Sequence, residues 1–416
     1  MLEPQGTLFF VLLVLAFAGL VTWLALSKLV VVRVLVALLA FIPAAVFGVA
    51  AVNKYYGYYQ SWGALVSDLS GSGAQSVPQL AEVSGTAGGS PDGSVRAGIT
   101  AAARDGLSQQ TGYLFRTTVT GPSSRITRQV YVYLPPQYFQ AAYKSTRFPA
   151  IELLHGSPGQ PASWINVMDV IPIYLGLLDT KQATPSVLVM PDTDGGLSYS
   201  LQCLNNPHGL QDMTFVGKEV PDWVTRNLRV MTAGPAWGIA GYSEGGYCAA
   251  NIGMQYAARF GYVGSLSGYF EPSNSQIPAD GRAGGAAVNI PDVFAKYPKL
   301  ALLNTPYKYV QQAPLGVQVP YFWLAAGGSD TWYLQQAELF RQYAMTRVPD
   351  VPLMIVKGGG HSANVWRASL GPMLEWMTPK LTNAAALVEE DVARREAAER
   401  LRKLTKPKVS TDSTSA

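Results

Sequence analysis

The chain is poor in charge, in histidine and in cysteine. Asp, Glu, Lys and Arg make up only 14% of its 416 residues, where soluble domains carry about 25%. A wholly soluble protein is therefore a strained reading. Three histidines are too few for a histidine-rich metal site. Two cysteines exclude both a disulfide-dense scaffold and a four-cysteine zinc site. The net charge of +4 comes without a basic stripe interleaved with aromatics, so nothing argues for a nucleic-acid partner. Disorder of the whole chain is excluded too, because 48% of the residues are hydrophobic, ample for a core.

The missing charge is concentrated at the N-terminus. Thr7–Leu26 contains no ionisable residue, and 20 helical residues reach about 30 Å, the thickness of a bilayer hydrocarbon core. A second apolar run, Val34–Val52, is broken only by Pro43 and Gly48, which spanning helices tolerate. Lys28 and Arg33 are read as lying in the connection between the runs. The positive-inside rule then puts that connection in the cytoplasm and both hairpin ends outside. Tyr55, Tyr56, Tyr58, Tyr59 and Trp62 follow as an interfacial aromatic belt. A cleaved signal peptide is disfavoured, since the first residues carry Glu3 and no Lys or Arg. The remaining alternative, one span with the second run buried in protein, would reverse the topology. The expected location is the cell membrane, multi-pass, with the large domain extracytoplasmic.

Composition divides the rest. Residues 1–66 form the membrane hairpin. Residues 67–110 are rich in Gly, Ser and Ala and read as a flexible tether. Residues 111–382 make one large domain, and 383–416 a charged solvated helix, from Ala384 to Leu404, ending in a disordered tail.

Within the large domain, short apolar runs alternate with helical patterns. Tyr131–Leu134, Ala150–Leu154, Val187–Met190, Trp237–Ala240, Tyr262–Leu266, Tyr321–Ala325 and Leu353–Val356 read as strands. Gly246–Phe260 and Thr331–Met345 read as helices. Continuous apolar strands suit a sheet covered on both faces, so the expected class is α/β, mostly parallel, with helices on both sides. Phe115–Thr120 and Gln129–Leu134 fit an antiparallel hairpin at its start.

Strand Trp237–Ala240 runs into Gly241-Tyr242-Ser243-Glu244-Gly245-Gly246 and then a helix. This is G-x-S-x-G in the strand–turn–helix context that makes serine a nucleophile. Of the three histidines, His361 follows the last strand in a glycine-rich loop and is the expected base. His155 ends a strand in His155-Gly156-Ser157-Pro158 and reads as a structural histidine. Its loop resembles one that completes an oxyanion hole, with donors expected at the amides of Ser157 and Glu244. His208 reads as a surface-loop residue. The acid that orients the base follows Ser and precedes His in this chain order. Asp330, just past a strand end, is favoured over Glu338, Asp350, Asp280 and Asp292, and Glu271 is the alternative. A bare helix cap is the competing role for Asp330. Cys203 and Cys248 are an even pair in an oxidising compartment, and a bridge would pin a long loop against the nucleophile helix. Asp192 and Asp194 are better explained by turn chemistry than by calcium.

Together Gly241–Ser273, the histidine stretch Gly358–Leu370, the acid stretch YFWLAAGGSD and LLHGSPG resemble the esterase family of α/β-hydrolases that includes esterase D and the mycobacterial mycolyltransferases. The resemblance runs from about Val130 to Trp376. It implies the α/β-hydrolase fold, Ser243 as nucleophile, Asp330 as acid, His361 as base, oxyanion donors at Ser157 and Glu244, and no cofactor. It departs from the mycolyltransferases in the added hairpin and in Asp330, where they carry Glu. The expected activity is that of a membrane-anchored serine esterase acting on a lipid or cell-envelope ester through an acyl-enzyme. Acyl transfer to a cell-wall or glycolipid hydroxyl is the first alternative, and a catalytically silent binding module the second.

Overall fold

The computed structural model describes residues 2–70, 81–82, 93–195, 202–207, 209–271, 297–314 and 316–405. His208, Asp280, Asp292, most of residues 71–92 and the tail from 406 lie outside the described residues.

Nine strands form one sheet in the order β1-β2-β3-β5-β4-β6-β7-β8-β9. They are β1 Ala81–Glu82, β2 Tyr113–Thr120, β3 Thr127–Leu134, β4 Ala150–Leu154, β5 Val187–Pro191, β6 Gly234–Tyr242, β7 Phe260–Leu266, β8 Tyr321–Gly327 and β9 Leu353–Val356. β2 and β3 pair antiparallel, as do β3 and β5. From β5 to β9 every neighbouring pair is parallel. The chain has the α/β-hydrolase architecture.

Every residue of β4 and β5 is buried, so their side chains sort by parity onto two covered faces. Ala150 and Leu154 join the cluster under helices Glu244–Gln255 and Thr331–Ala344. Ile151 and Leu153 face the opposite cluster, which holds Trp366, Leu370, Met373 and Met377 of the C-terminal helix. Helix thus covers both faces. The parallel strands carry their loops to one edge, and the site forms there.

Two helices, α1 Thr7–Leu26 and α2 Val30–Tyr56, are long and apolar enough to cross a membrane. The second begins earlier than its apolar run suggested. Arg33 therefore lies on α2, its Nε donating to the Ser27 carbonyl at 2.8 Å, and of the two basic residues only Lys28 stands in the connection. Two other expectations change. The segment 67–110 contains helix Gly93–Asp105, with Val95 and Ala102 buried and Ile99 packed against the core. These positions recur at helical spacing, a stripe that the average Gly/Ser composition conceals. The C-terminal helix runs unbroken from Ala363 to Thr405, so the boundary at 382/383 falls inside it. Its apolar first half packs on the sheet, while Glu390–Arg394 and Asp391–Arg395 pair across exposed turns.

One core residue is out of keeping with its surroundings. Glu152 in β4 is fully buried, and neither carboxyl oxygen has a hydrogen-bond partner. Burial pushes its pKa well above the ordinary carboxylate value, against a smaller opposing pull from Arg259. A raised folded-state pKa means that stability falls as pH rises from the ordinary carboxylate range through the folded value. Glu152→Gln removes that ionisation and keeps the shape. Thermal unfolding in detergent should show the variant gaining on the wild type at pH 8 relative to pH 5. An unchanged difference between the two pH values would mean that the carboxyl does not titrate against folding.

Candidate active site

β6 ends in a turn of the tightest kind. Ser243 has φ 54° and ψ −122°, a left-handed φ that costs a non-glycine residue about 1–3 kcal/mol. Its amide donates to the Leu266 carbonyl at 2.8 Å, and its own carbonyl accepts from Gly246 at 3.0 Å. The flanking glycines are needed for approach. A Cβ on Gly241 would stand 2.2 Å from the Gly245 carbonyl oxygen, and one on Gly245 2.1 Å from that of Leu154. Helix Glu244–Gln255 starts directly after the serine, aiming its N-terminal partial positive charge at the site.

His361 is delivered from the loop after β9, and its Nε2 lies 2.8 Å from Ser243 Oγ. Its Nδ1 lies 2.9 Å from Asp330 Oδ2. With Nδ1–H donating to the carboxylate, Nε2 is left to accept from the serine hydroxyl. The two loops are tied by backbone: Ser329 N donates to the Gly359 carbonyl and Gly328 N to that of Val356, each at 2.8 Å. Asp330 does occupy the N-cap position of helix Thr331–Ala344, but its side chain makes no capping bond. Its carboxylate is spent on the histidine instead. Glu271 is elsewhere, paired with Lys308 at 3.2 Å and accepting from Tyr307 at 3.3 Å. Glu338 and Asp350 are exposed.

The HG loop lies against the elbow: a Cβ on Gly156 would stand 3.1 Å from Ser243 Cβ. Ser157 follows it in the chain. His155 is buried, with Nε2 accepting from Thr193 N at 3.1 Å and Nδ1 2.9 Å from the Gly156 carbonyl. It holds the loop to the segment after β5. In that segment Asp192 Oδ1 accepts from Asp194 N and Gly195 N at 3.0 and 2.7 Å, a side-chain-closed turn. Cys203 and Cys248 are disulfide-bonded across 45 residues of sequence. The bridge joins the loop after β5 to helix Glu244–Gln255, and beside it Gln202 N donates to the buried Glu244 carboxylate at 3.1 Å.

Sequence reasoning missed the aromatic casing of the histidine. The Tyr333 ring stacks on His361 with centroids 3.8 Å apart, and Trp366 meets the same ring edge-on at 5.2 Å. Tyr242 stacks on Trp366 at 4.6 Å and meets Trp164 at 5.1 Å. Burial, together with Asp330 and Glu244, raises the Tyr333 pKa, so its hydroxyl stays protonated beside Ser243. One signal was available: Tyr333 lies in the first turn of the helix that Asp330 precedes.

The sequence profile of the Esterase family matches residues 123–377, more than half of the chain. The chain belongs to the Esterase family. An uncharacterized protein of Corynebacterium glutamicum is 26% identical to this esterase-family chain over 270 residues, 64% of this chain and 60% of that protein. The MPT51/MPB51 antigen of Mycobacterium tuberculosis is 39% identical over 62 residues, 15% of this chain and 20% of the antigen. The chain therefore spans less than two thirds of the length of these relatives. Among solved structures, a ferulic acid esterase superposes with TM-score 0.52 at 20% identity, over 65% of this chain and 99% of that one. An S-formylglutathione hydrolase of Agrobacterium tumefaciens does so with TM-score 0.51 at 17% identity, over 65% and 96%. These likenesses are of fold.

Closing a loop of this length by a disulfide stabilises a domain by about 2–4 kcal/mol. Replacing Cys203 and Cys248 together by Ala should lower the urea midpoint correspondingly. Thiol titration of the unreduced, denatured wild type should find almost no free thiol. Two titratable thiols would show the bridge to be absent in solution.

Proposed function

We propose that the protein is a membrane-anchored serine esterase whose catalytic groups are Ser243, His361 and Asp330. The observation that carries this reading is the unbroken relay from Ser243 Oγ through both nitrogens of His361 to Asp330, set on a nucleophile elbow. Ser243 Oγ attacks the ester carbonyl while His361 Nε2 takes its proton. Asp330 keeps Nδ1–H in place and stabilises the imidazolium that forms. The developing oxyanion is taken by the amides of Ser157 and Glu244. Collapse of the tetrahedral intermediate breaks the ester C–O bond, and His361 returns the proton to the leaving alcohol. Water, deprotonated by the same histidine, then cleaves the acyl-enzyme and restores Ser243.

A hydroxyl acceptor in place of that water would make the same groups an acyltransferase. The mycobacterial antigen match keeps this second reading in view. A silent binding module is disfavoured, because such a protein has no need of an intact relay. The hairpin reading supports an extracytoplasmic domain, with Lys28 and Arg33 at the cytoplasmic ends of the two spans.

The acid assignment gives the sharpest test. Asp330→Asn should cut kcat on a soluble ester by at least about 10²-fold, toward the roughly 10⁴-fold of the analogous protease change. Glu271→Gln should change it less than about threefold, and Ser243→Ala sets the baseline. A reversed ranking, with both variants folded, would return Asp330 to a helix cap. Topology is read separately. A cysteine at Ala103 should react with impermeant maleimide on intact cells, and one at Leu29 should not. The opposite pattern would invert the hairpin.

A further inference from the structure

We propose that the catalytic domain works seated on its own membrane hairpin, latched there by Arg367, and that this seat makes its substrate an ester lipid of the bilayer surface. The proposal rests on the reading of Ser243 as an ester nucleophile and of α1 and α2 as spans.

The end of α2 touches the helix that follows His361. α2 closes on Gly57, at φ 70°, and the Gly57 carbonyl accepts from Arg367 Nη2 at 2.6 Å. The same guanidinium reaches the Asn364 side-chain oxygen at 2.7 Å and donates through Nη1 to the Val167 carbonyl. Asn364 lies so close to the hairpin that any Cβ on Gly57 would stand 2.6 Å from its Cγ. Arg367 thus ties three pieces together: the end of a span, the helix that follows His361, and the segment just after Trp164. Asn364 is three residues beyond His361. Three residues span at most about 11 Å even when fully extended. The base is therefore held that close to a residue in contact with the outer end of α2.

The turn leaving α2 is itself braced. Tyr59 N donates to Asn53 Oδ1, while the Tyr59 carbonyl accepts from Asn53 at 2.8 Å and from Gln5 at 2.9 Å. Gln5 precedes α1, so both spans are tied to the turn. Tyr58 and Tyr59 pack on the cluster that contains Tyr242, Trp164 and Trp366, the aromatics next to Ser243 and His361. On the hairpin side, every residue making these contacts precedes residue 67, where the glycine- and serine-rich stretch starts. That stretch accordingly does not set the height of the site above the membrane; the seat does. An enzyme for soluble or distant wall esters needs no such seat. A base held beside the aromatic belt of its own anchor suits esters whose carbonyl lies at the interface and whose chains stay in the lipid.

The test uses the full chain in phosphatidylcholine vesicles and two esters with one leaving group: water-soluble 4-methylumbelliferyl acetate and vesicle-borne 4-methylumbelliferyl palmitate. Arg367→Met removes the latch from the domain side. Gly57→Leu wedges the seat open from the hairpin side. Both variants should keep fluorophosphonate labelling of Ser243 and hydrolyse the acetate within about threefold of wild type. On the palmitate both should fall at least about tenfold. Unchanged palmitate rates in both variants, or equal losses on the two esters, would overturn the seat. Wild type that cleaves the acetate but not the palmitate would overturn the lipid substrate and leave the esterase standing. Wild type that cleaves neither ester and takes no fluorophosphonate would instead sink the esterase reading, and this inference with it.

Discussion

The backbone contact between the elbow and the strand beside it is the constraint on which the site depends. Gly241 and Gly245 bring β6, helix Glu244–Gln255 and the end of β4 together until no side chain fits between them. That closeness holds Ser243 at a positive φ and raises its hydroxyl above the sheet edge. The cost of the strained residue is small beside the buried clusters that flank it on both faces of the sheet. With Ser243 placed, the loops after β4, β8 and β9 have one common edge to meet on. His155 holds the first of these loops, and backbone bonds tie the other two to each other.

His361 is confined on every side that matters for its chemistry. One nitrogen faces the serine and the other the carboxylate, while Tyr333 covers a ring face and Trp366 an edge. Removing water around such a relay strengthens each of its electrostatic contacts. The same Trp366 belongs to the cluster on which Tyr58 and Tyr59 rest. The two N-terminal apolar helices and His361 are therefore parts of one packed body, joined through the first turns of the C-terminal helix.

Much of this is legible in the sequence. The strands were readable because burial on both faces demands uninterrupted apolar runs, and β4 and β9 have the expected limits. The elbow was readable because its glycines are needed locally, within five residues. Less legible were features that depend on a few residues within a misleading average. Val95, Ile99 and Ala102 order a helix inside a stretch that is rich in glycine, serine and alanine. Arg33 joined α2 because its guanidinium can reach back to the Ser27 carbonyl while its backbone stays helical.

Sequence alone pointed to esterase chemistry and to the order Ser243, Asp330, His361 along the chain, since each of these residues stands in a loop of recognisable pattern. It also determined that the first 56 residues contain two apolar helices, because length and lack of charge are local properties. What only the tertiary structure decided is which residues meet. Asp330 reaches His361 while Glu271 turns to Lys308, and Tyr333 folds over the histidine. Arg367 grips Gly57 across 310 positions of chain. No local pattern encodes such meetings, because they follow from the order and twist of nine strands and from what remains to be covered once the sheet has formed.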